Sequence, residues 1–262
     1  MGRVLVASAC MLLACGFDPA RLTGDDAPGS PDGAAAADGS HADSSSPAQD
    51  GAMLEMTGSA CSGAVWHADF SVDPTMVDGN GDGIDDFAVR GGGPLPGSLG
   101  SGVWTVPASS AALDTQPKQP FTTRVVLDVT MQSVTRGATH GTVAWINTAY
   151  GSATFAPLFL DLQRDSNEAE SQTLTVFGKM GSNAVESQID AFSVGDDDLH
   201  HFHVDIDPTA LSYHLVMDGG AQDRGTKSYY AIPLAGSDQW ATVVAYGGDS
   251  VFDDFQIEVC PP

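Results

Sequence analysis

Alternation of apolar and polar residues, with many β-branched side chains, is the main pattern of the chain after Met53. A period of two places one face of a strand on a core and the other towards solvent. The pattern predicts ten strands separated by Gly, Asn and Asp, at residues 64–72, 86–90, 121–134, 141–149, 158–162, 173–177, 201–207, 211–217, 241–246 and 251–259. No segment keeps a helical period. We therefore expect an all-β fold, an antiparallel β-sandwich over residues 53–262.

The first fifteen residues follow a different pattern. Arg3 precedes an apolar run over residues 4–13, which is shorter than the roughly 20 residues that a membrane-spanning helix needs. The run closes with Leu-Leu-Ala before Cys15 and resembles a bacterial lipoprotein signal, in which the cysteine is lipidated and becomes the new N-terminus. An ordinary secretory signal, cut elsewhere, is the alternative. The resemblance implies a signal peptide at residues 1–14 and attachment to the lipid bilayer through acyl chains on Cys15.

Residues 15–52 consist mainly of Asp, Ala, Gly, Ser and Pro. Such a segment buries too little apolar surface to offset the entropy of ordering, so we predict a disordered tether between lipid and domain. Gly16 replaces the Asp that often retains lipoproteins at the inner membrane, which favours the outer membrane of the cell envelope. Acidic residues outnumber basic ones by 34 to 10. This excludes a nucleic-acid partner, because phosphate binding depends on Lys and Arg.

The cysteines give a second indication of export. Cys10 lies in the signal and Cys15 carries the lipid, which leaves Cys61 and Cys260 at the two ends of the folded region. We expect them to form a disulfide, because an oxidising compartment permits one. Two free buried thiols are the alternative.

The sharpest local motif is an acidic, glycine-rich loop over residues 78–86. Oxygen donors stand at its first, third and fifth positions, Gly83 allows a sharp turn, and the carbonyl of the seventh position is a further donor. The predicted calcium ligands are Asp78, Asn80, Asp82, Ile84 and Asp86. Val89 occupies the twelfth position in place of the bidentate Glu of an EF-hand, and the loop resembles the calcium hairpins of integrin-type propellers or thrombospondin type 3 repeats. An acidic turn that binds nothing is the alternative.

The C-terminal third resembles the closing strands of laminin-G-like domains, in the concanavalin A-like lectin and glucanase superfamily. The resemblance rests on a strand that begins near His200, a strand that ends in Asp218-Gly219, and a last strand with paired Asp before apolar residues. It implies a jelly roll in which the first and last strands lie side by side, so that a Cys61–Cys260 bridge closes their seam. It also implies that Asp253 and Asp254, before the apolar end of the last strand, help to hold a structural calcium ion. Edge-protecting charge is the alternative.

Three histidines form another candidate site. A turn over residues 207–210 would place Ile206 opposite Leu211 and His203 opposite His214, with His201 diagonally adjacent on the same face. Three imidazoles in that arrangement predict a zinc site. Polar residues on a half-exposed sheet face are the stronger alternative, and a one-residue slip of the register would remove the site.

The sequence indicates a class of function and leaves the ligand open. We expect a noncatalytic, lipid-anchored, calcium-binding module whose partner is a glycan or a cell-surface protein. The aromatic residues available to stack on sugar rings are Trp104, Trp145, Tyr150, Tyr229, Tyr230 and Trp240. Two alternatives stay open, an atypical glycoside hydrolase and a purely structural envelope lipoprotein. Two observations count against the hydrolase. The chain lacks the Glu-x-Asp-x-Glu strand signature of glucanases, and Glu168 and Glu170 fall in a loop-like stretch.

Overall fold

A computed structural model describes residues 61, 63–108, 112–117, 123–138, 141–148, 158–166, 171–180, 185–229 and 239–262. These residues form fifteen strands and two short 3-10 turns, Pro74–Met76 and Asp218–Gly220, with no α-helix among them. No helix within these ranges has the length and apolar character needed to cross a bilayer. The all-β fold class predicted from the sequence is therefore confirmed.

In chain order the strands are β1 (Ala64–Ala68), β2 (Phe87–Val89), β3 (Ser98–Gly100), β4 (Val103–Val106), β5 (Leu113–Thr115), β6 (Val125–Ser133), β7 (Thr142–Thr148), β8 (Leu158–Arg164), β9 (Gln172–Met180), β10 (Val185–Ser193), β11 (His200–Asp207), β12 (Ser212–Met217), β13 (Gln222–Ser228), β14 (Gln239–Ala245) and β15 (Ser250–Val259). They form two antiparallel sheets. The eight-stranded sheet has the order β13-β12-β11-β6-β15-β4-β3, with β1 also paired to β15. The seven-stranded sheet has the order β10-β9-β8-β7-β14-β5-β2.

The two sheets pack face to face on one hydrophobic core. Alternate residues of β6, among them Leu127 and Val129, are fully buried and belong to the same apolar cluster as Leu160 of β8 and Val176 of β9. Trp104 lies in this cluster with no exposed surface and contacts the rings of Phe70 and Phe252, with centroids 5.5 and 5.4 Å apart. Apolar burial of this kind is the main force that holds a sandwich together.

The first and last strands pair as the predicted jelly roll requires. Ala64 of β1 lies opposite Val259 of β15, and the Cys61–Cys260 disulfide closes the end of this seam with the Cα atoms 4.8 Å apart. Gly63 lies so close to the last strand that a Cβ atom there would fall 1.6 Å from the carbonyl oxygen of Val259. The seam therefore requires glycine at this position, and the predicted disulfide is confirmed.

All ten strands predicted from alternation are present, with ends shifted by a few residues. Five further strands were not predicted, namely β3, β4, β5, β10 and β13. The strands β3, β4 and β5 are three or four residues long, which is too short to show a period. The strands β10 and β13 are the outermost strands at one end of their sheets, where polar residues are common and alternation is weak.

We predict that breaking the Cys61–Cys260 bridge lowers the free energy of unfolding by about 5 kcal/mol, because the bridge restricts the unfolded chain. The sequence separation of its cysteines is 199 residues. Urea unfolding of the oxidised protein, the reduced protein and Cys61→Ser measures this loss. The reduced protein and Cys61→Ser should agree within error. Equal stability of all three forms would contradict the prediction.

Candidate functional site

The acidic loop between the turn at Pro74–Met76 and β2 is folded around its own backbone N–H groups. Asp78 Oδ1 accepts hydrogen bonds from the N–H groups of Gly81 and Asp82, at 2.7 and 3.0 Å, and its Oδ2 accepts from Gly83. Asn80 accepts from the N–H of Asp82, and Asp82 accepts from that of Ile84. The side chains of Asn80 and Asp82 thus form successive Asx turns.

Asp86 differs from the other acids of the loop because it is buried, with 2% of its surface exposed. Its Oδ2 accepts a hydrogen bond from the N–H of Gly79 at 3.1 Å, and its Oδ1 has no partner. Burial is the largest factor and raises the pKa of Asp86 above its ordinary value. Hydrogen bonding from the backbone N–H groups of Gly79 and Asn80 acts against it, and the charges of Asp78 and Asp82 act with it. A buried carboxylate oxygen without a partner costs free energy unless a proton or a cation compensates it.

The five predicted ligands offer carboxylate, amide and carbonyl oxygens, which are the ligand types that a hard divalent cation such as calcium prefers. No group of three or more His, Cys, Asp or Glu side chains within the described residues is arranged to hold a metal ion. The orphaned Oδ1 of Asp86 is the feature that fits calcium. The five predicted ligands therefore lie in one loop, and their binding of calcium stays a prediction.

An open cleft of about 550 Å³ lies beside this loop. Ile84 and Asp85 of the loop line it, together with Gly92 and Gly93. All three residues of β2, the outermost strand of the seven-stranded sheet, also line the cleft. A ligand in the cleft would contact both the loop and the edge of the sheet.

The histidine register differs from the one predicted. Asp205 lies opposite His214, and His203 lies opposite Val216, so the pairing of β11 with β12 is displaced by two residues. The turn extends to Leu211, whose φ of 53° is left-handed, and Asp207 caps it by accepting from the N–H groups of Thr209 and Ala210. A shift of two keeps every side chain on its predicted face, but it removes the predicted His203–His214 pair.

His201 and His203 instead share one carboxylate, that of Asp128 on the neighbouring strand β6. His203 Nδ1 lies 2.7 Å and His201 Nε2 lies 3.3 Å from Asp128 Oδ1. Burial raises the pKa of Asp128, but the contacts with the two histidines outweigh it and hold the pKa below its usual value. The hydrogen bond to Asp128 raises the pKa of His203. His214 contacts Asp223 at 2.7 Å, so the structure does not join the three histidines in one site, and zinc binding stays a prediction.

Asp253 and Asp254 lie inside β15, at a bulge that follows Phe252. Asp254 Oδ1 lies 2.7 Å from His67 Nε2. That hydrogen bond is the largest factor that raises the pKa of His67. Asp254 therefore has an imidazole partner on the outer face of the sheet, and a calcium role for the two aspartates stays a prediction.

Two polar contacts were not predicted as functional features. His200 Nδ1 lies 2.9 Å from Asp218 Oδ2, and Asp218 Oδ1 accepts from the N–H of His201. This contact explains why a strand beginning at His and a strand ending in Asp-Gly occur together. On the other sheet Arg90 donates two hydrogen bonds to Asp114, at 2.9 and 2.6 Å. The only sequence signal for that pair was an Arg at the end of a strand.

The predicted aromatic residues fall into three groups. Trp104 and Tyr229 are buried in the core, so neither is a surface for sugar rings. Trp145 and Trp240 lie in β7 and β14. Tyr150, Tyr230, Glu168, Glu170 and Cys15 lie outside the described residues.

Comparison with known proteins gives structural similarity only. No protein-family model matches the chain, and no curated protein matches its sequence. The potassium-bound carbohydrate recognition domain of Emp46p is 10% identical over 75% of this chain and 98% of that domain, with a TM-score of 0.48. The exoplasmic/lumenal domain of VIP36 bound to Ca²⁺ and Man3GlcNAc is 10% identical over 68% of this chain and 85% of that one, with a TM-score of 0.43.

An alginate lyase from Pseudomonas aeruginosa is 8% identical over 60% of this chain and 82% of that enzyme, with a TM-score of 0.41. The three similarities thus include sugar-binding domains and an enzyme. At TM-scores below 0.5 they support no conclusion about ligand or activity. The chain is defined by its own strand order as an antiparallel β-sandwich with an acidic loop and a cleft at one edge.

We predict that the contact of His203 with Asp128 makes stability depend on pH. Because the pKa of His203 is raised in the folded protein, its contribution is complete below the unfolded value near 6.5 and is lost as pH rises through the folded pKa. The destabilisation caused by His203→Ala should therefore be larger at pH 6 than at pH 8.5. Urea unfolding of wild type and variant at both pH values measures the difference. A destabilisation independent of pH would contradict the prediction.

Proposed function

We propose that the protein is a lipid-anchored component of the cell envelope whose β-sandwich is a noncatalytic, calcium-binding module for glycans. The observation that carries the calcium part is the buried, unpartnered Oδ1 of Asp86. Calcium ligation by this oxygen would replace the missing partner, and Asp78, Asn80 and Asp82 supply further oxygens in the same loop. The ion would brace the wall of the adjoining cleft, because Ile84 and Asp85 belong to both loop and cleft.

A glycan suits the cleft for two reasons. First, the cleft is lined by the apolar residues Ile84, Phe87 and Val89 and by Thr75, Gly92, Gly93 and Gln116, whose hydroxyl, amide and backbone groups could form hydrogen bonds to sugar hydroxyls. Second, the net charge of −24 disfavours anionic partners. A calcium-braced wall beside such a cleft favours a binding role over a purely structural one.

The carboxylates on the outer face of the seven-stranded sheet support a noncatalytic role. Glycoside hydrolysis requires two carboxyl groups about 5 to 10 Å apart. Asp114 and Asp161 lie on strands three positions apart in the sheet, a separation of about 14 Å at the usual strand spacing. Asp114 is engaged by Arg90, and Asp161 accepts hydrogen bonds from the N–H of Gly141 and from Gln163. Neither carboxylate is placed as a general acid or nucleophile towards the other.

The anchor is proposed from the sequence before Gly16. Lipidation of Cys15 after cleavage would attach the folded part to the bilayer, and residues 16–52 would separate the two. Two or more acyl chains suffice for stable attachment. The absence of Asp after Cys15 favours the outer membrane.

We predict that calcium raises the melting temperature of the protein and that Asp82→Ala abolishes the rise, because a ligand that binds only the folded state stabilises it. Asp85→Ala is the matched control, since Asp85 lies in the loop but outside the predicted ligand positions. Differential scanning fluorimetry at increasing calcium concentration measures the shift. An unchanged melting temperature up to several millimolar would contradict the proposal, given the roughly 0.1 to 1 mM affinity of extracellular modules.

We predict that Asp86→Asn changes the free energy of unfolding in opposite directions in the absence and in the presence of calcium. Without calcium the substitution removes a buried, uncompensated charge and should raise the free energy of unfolding by about 1 kcal/mol. With calcium the variant should be less stable than wild type, because it loses a charged ligand. Urea unfolding with a chelator and with excess calcium measures both values. Destabilisation of equal size under both conditions would show that Asp86 has only a structural role.

We predict that Cys15→Ser moves the protein from the membrane fraction to the soluble fraction. Loss of the acyl chains removes the apolar contribution of about 0.8 kcal/mol per buried CH₂ group. Cys10→Ser, in the apolar run, is the matched control and should stay in the membrane fraction. Fractionation with mass spectrometry of the N-terminal peptide measures the result. Membrane attachment of Cys15→Ser equal to wild type would contradict lipidation at this residue.

A further inference from the structure

One peptide bond of the acidic loop joins an asparagine to a glycine, a pair with a reactivity of its own. Of the asparagines in the chain, Asn80 alone precedes a glycine, and both Asn80 and Gly81 are exposed. In an Asn-Gly pair the backbone nitrogen of the glycine can attack the side-chain amide, because glycine has no Cβ atom to hinder the approach. A Cβ placed on Gly81 would meet no atom within 4 Å, so the surroundings leave that approach open.

The nucleophile in this attack is the backbone nitrogen of Gly81, which must give up its proton. Its N–H donates a hydrogen bond to Asp78 Oδ1 at 2.7 Å. Most backbone N–H groups in helices and sheets donate to a carbonyl oxygen, which is too weak a base to take the proton. The carboxylate of Asp78 is a stronger base than a carbonyl. The hydrogen bond therefore places a general base on the attacking atom.

The electrophile is the side-chain amide carbon of Asn80. Its Oδ1 accepts a hydrogen bond from the N–H of Asp82 at 2.9 Å, in an Asx turn that folds the side chain back along the residues that follow. Negative charge develops on Oδ1 when a nucleophile adds to the amide carbon, and this N–H is directed at that oxygen. The loop thus provides a base for the nucleophile and a hydrogen-bond donor for the developing oxyanion.

We propose that Asn80 is a site of deamidation assisted by its own loop, in which Asp78 takes the proton of Gly81 N and the N–H of Asp82 stabilises the oxyanion. A bond forms between Gly81 N and Asn80 Cγ, and the bond from Cγ to Nδ2 breaks. The proton held by Asp78 passes to the departing nitrogen, which leaves as ammonia, and a cyclic succinimide remains. Water then opens the succinimide. Attack of water at Cγ gives aspartate, and attack at the main-chain carbonyl carbon gives isoaspartate.

The products alter the loop at the proposed calcium site, and this part of the inference rests on the proposed function. An aspartate at position 80 keeps an oxygen donor and adds a negative charge. An isoaspartate adds one carbon atom to the main chain, which displaces the donors that follow. A bound calcium ion would slow the reaction, because Asp78 would then ligate the ion and would not be available to take the proton.

The test is peptide mass spectrometry of the full-length protein in detergent and a chelator, incubated at physiological temperature and pH, with the urea-unfolded protein as the reference. Deamidation is measured as the mass increase from amide to carboxylate in the peptide that contains Asn80, and isoaspartate as a second chromatographic peak of the same mass. We expect the folded protein to convert at least as fast as the unfolded chain. A folded rate well below the unfolded rate would show that the loop protects Asn80 and would overturn the proposal.

The variant Asp78→Ser separates assistance by the loop from the reactivity of any Asn-Gly pair, since serine keeps a hydrogen-bond acceptor but is a much weaker base. When folded, it should convert at least about ten-fold more slowly than wild type, a modest effect for a general base because the loop is exposed. When unfolded, the two proteins should convert at equal rates. Asn80→Gln is the control for the site, and its peptide should gain no carboxylate over the same period. Equal rates for folded Asp78→Ser and folded wild type would overturn the proposal.

A parallel incubation in excess calcium distinguishes this proposal from the proposed function. Slower conversion in calcium than in chelator supports both. If conversion is fast and equal under the two conditions, calcium ligation by Asp78 and Asn80 is overturned, and the deamidation site stands. If Asn80 converts slowly under both conditions while calcium still raises the melting temperature, the deamidation site is overturned, and the calcium site stands.

Discussion

Desolvation of carboxylates is the constraint on which this account depends. This strongly acidic β-sandwich buries several of its acids, and a buried carboxylate without a partner costs free energy. Asp114 is compensated by Arg90, Asp128 by two histidines, and Asp161 by a backbone N–H and an amide. Asp86 is the exception among them, since its Oδ1 has no partner. A cation at that oxygen would compensate the charge of Asp86, as the partners of Asp114, Asp128 and Asp161 compensate theirs.

The same constraint distinguishes the two faces of the sandwich. On the eight-stranded sheet Asp128, Asp205, Asp223 and Asp254 each contact a histidine or Arg124, so these four charges are compensated within the sheet. On the seven-stranded sheet Asp114 is neutralised by Arg90, and Phe159 stacks on Phe177. The acidic loop lies at the edge of that second sheet, directly before β2. The calcium site and the glycan-binding cleft proposed above would therefore adjoin each other.

Much of the fold was predictable because the strands that form the core carry strict alternation. The strands β6, β11 and β15 were predicted within a few residues, and the Cys61–Cys260 disulfide followed from counting cysteines. The pairing of the first and last strands followed from the resemblance to laminin-G-like domains. The short strands β3 to β5 were missed because three or four residues show no period. The histidine register was wrong by two residues, since the left-handed conformation of Leu211 lengthens the turn in a way that residue type does not indicate.

The candidate site was predictable only where its residues are close in sequence. The acidic loop was found because its oxygen donors alternate over nine residues. The burial of Asp86 and the Arg90–Asp114 pair depend on strands that are distant in sequence. Local pattern carries no information about such contacts, because they arise from the order of strands in the sheet.

Diffraction from crystals grown in calcium, recorded at a wavelength where calcium scatters anomalously, tests the central claim most directly. The account predicts an anomalous peak in the acidic loop at 2.3 to 2.6 Å from Asp86 Oδ1, the usual calcium–oxygen distance. A loop without such a peak at saturating calcium, with Asp86 Oδ1 hydrogen-bonded to a protein group or to water, would contradict it.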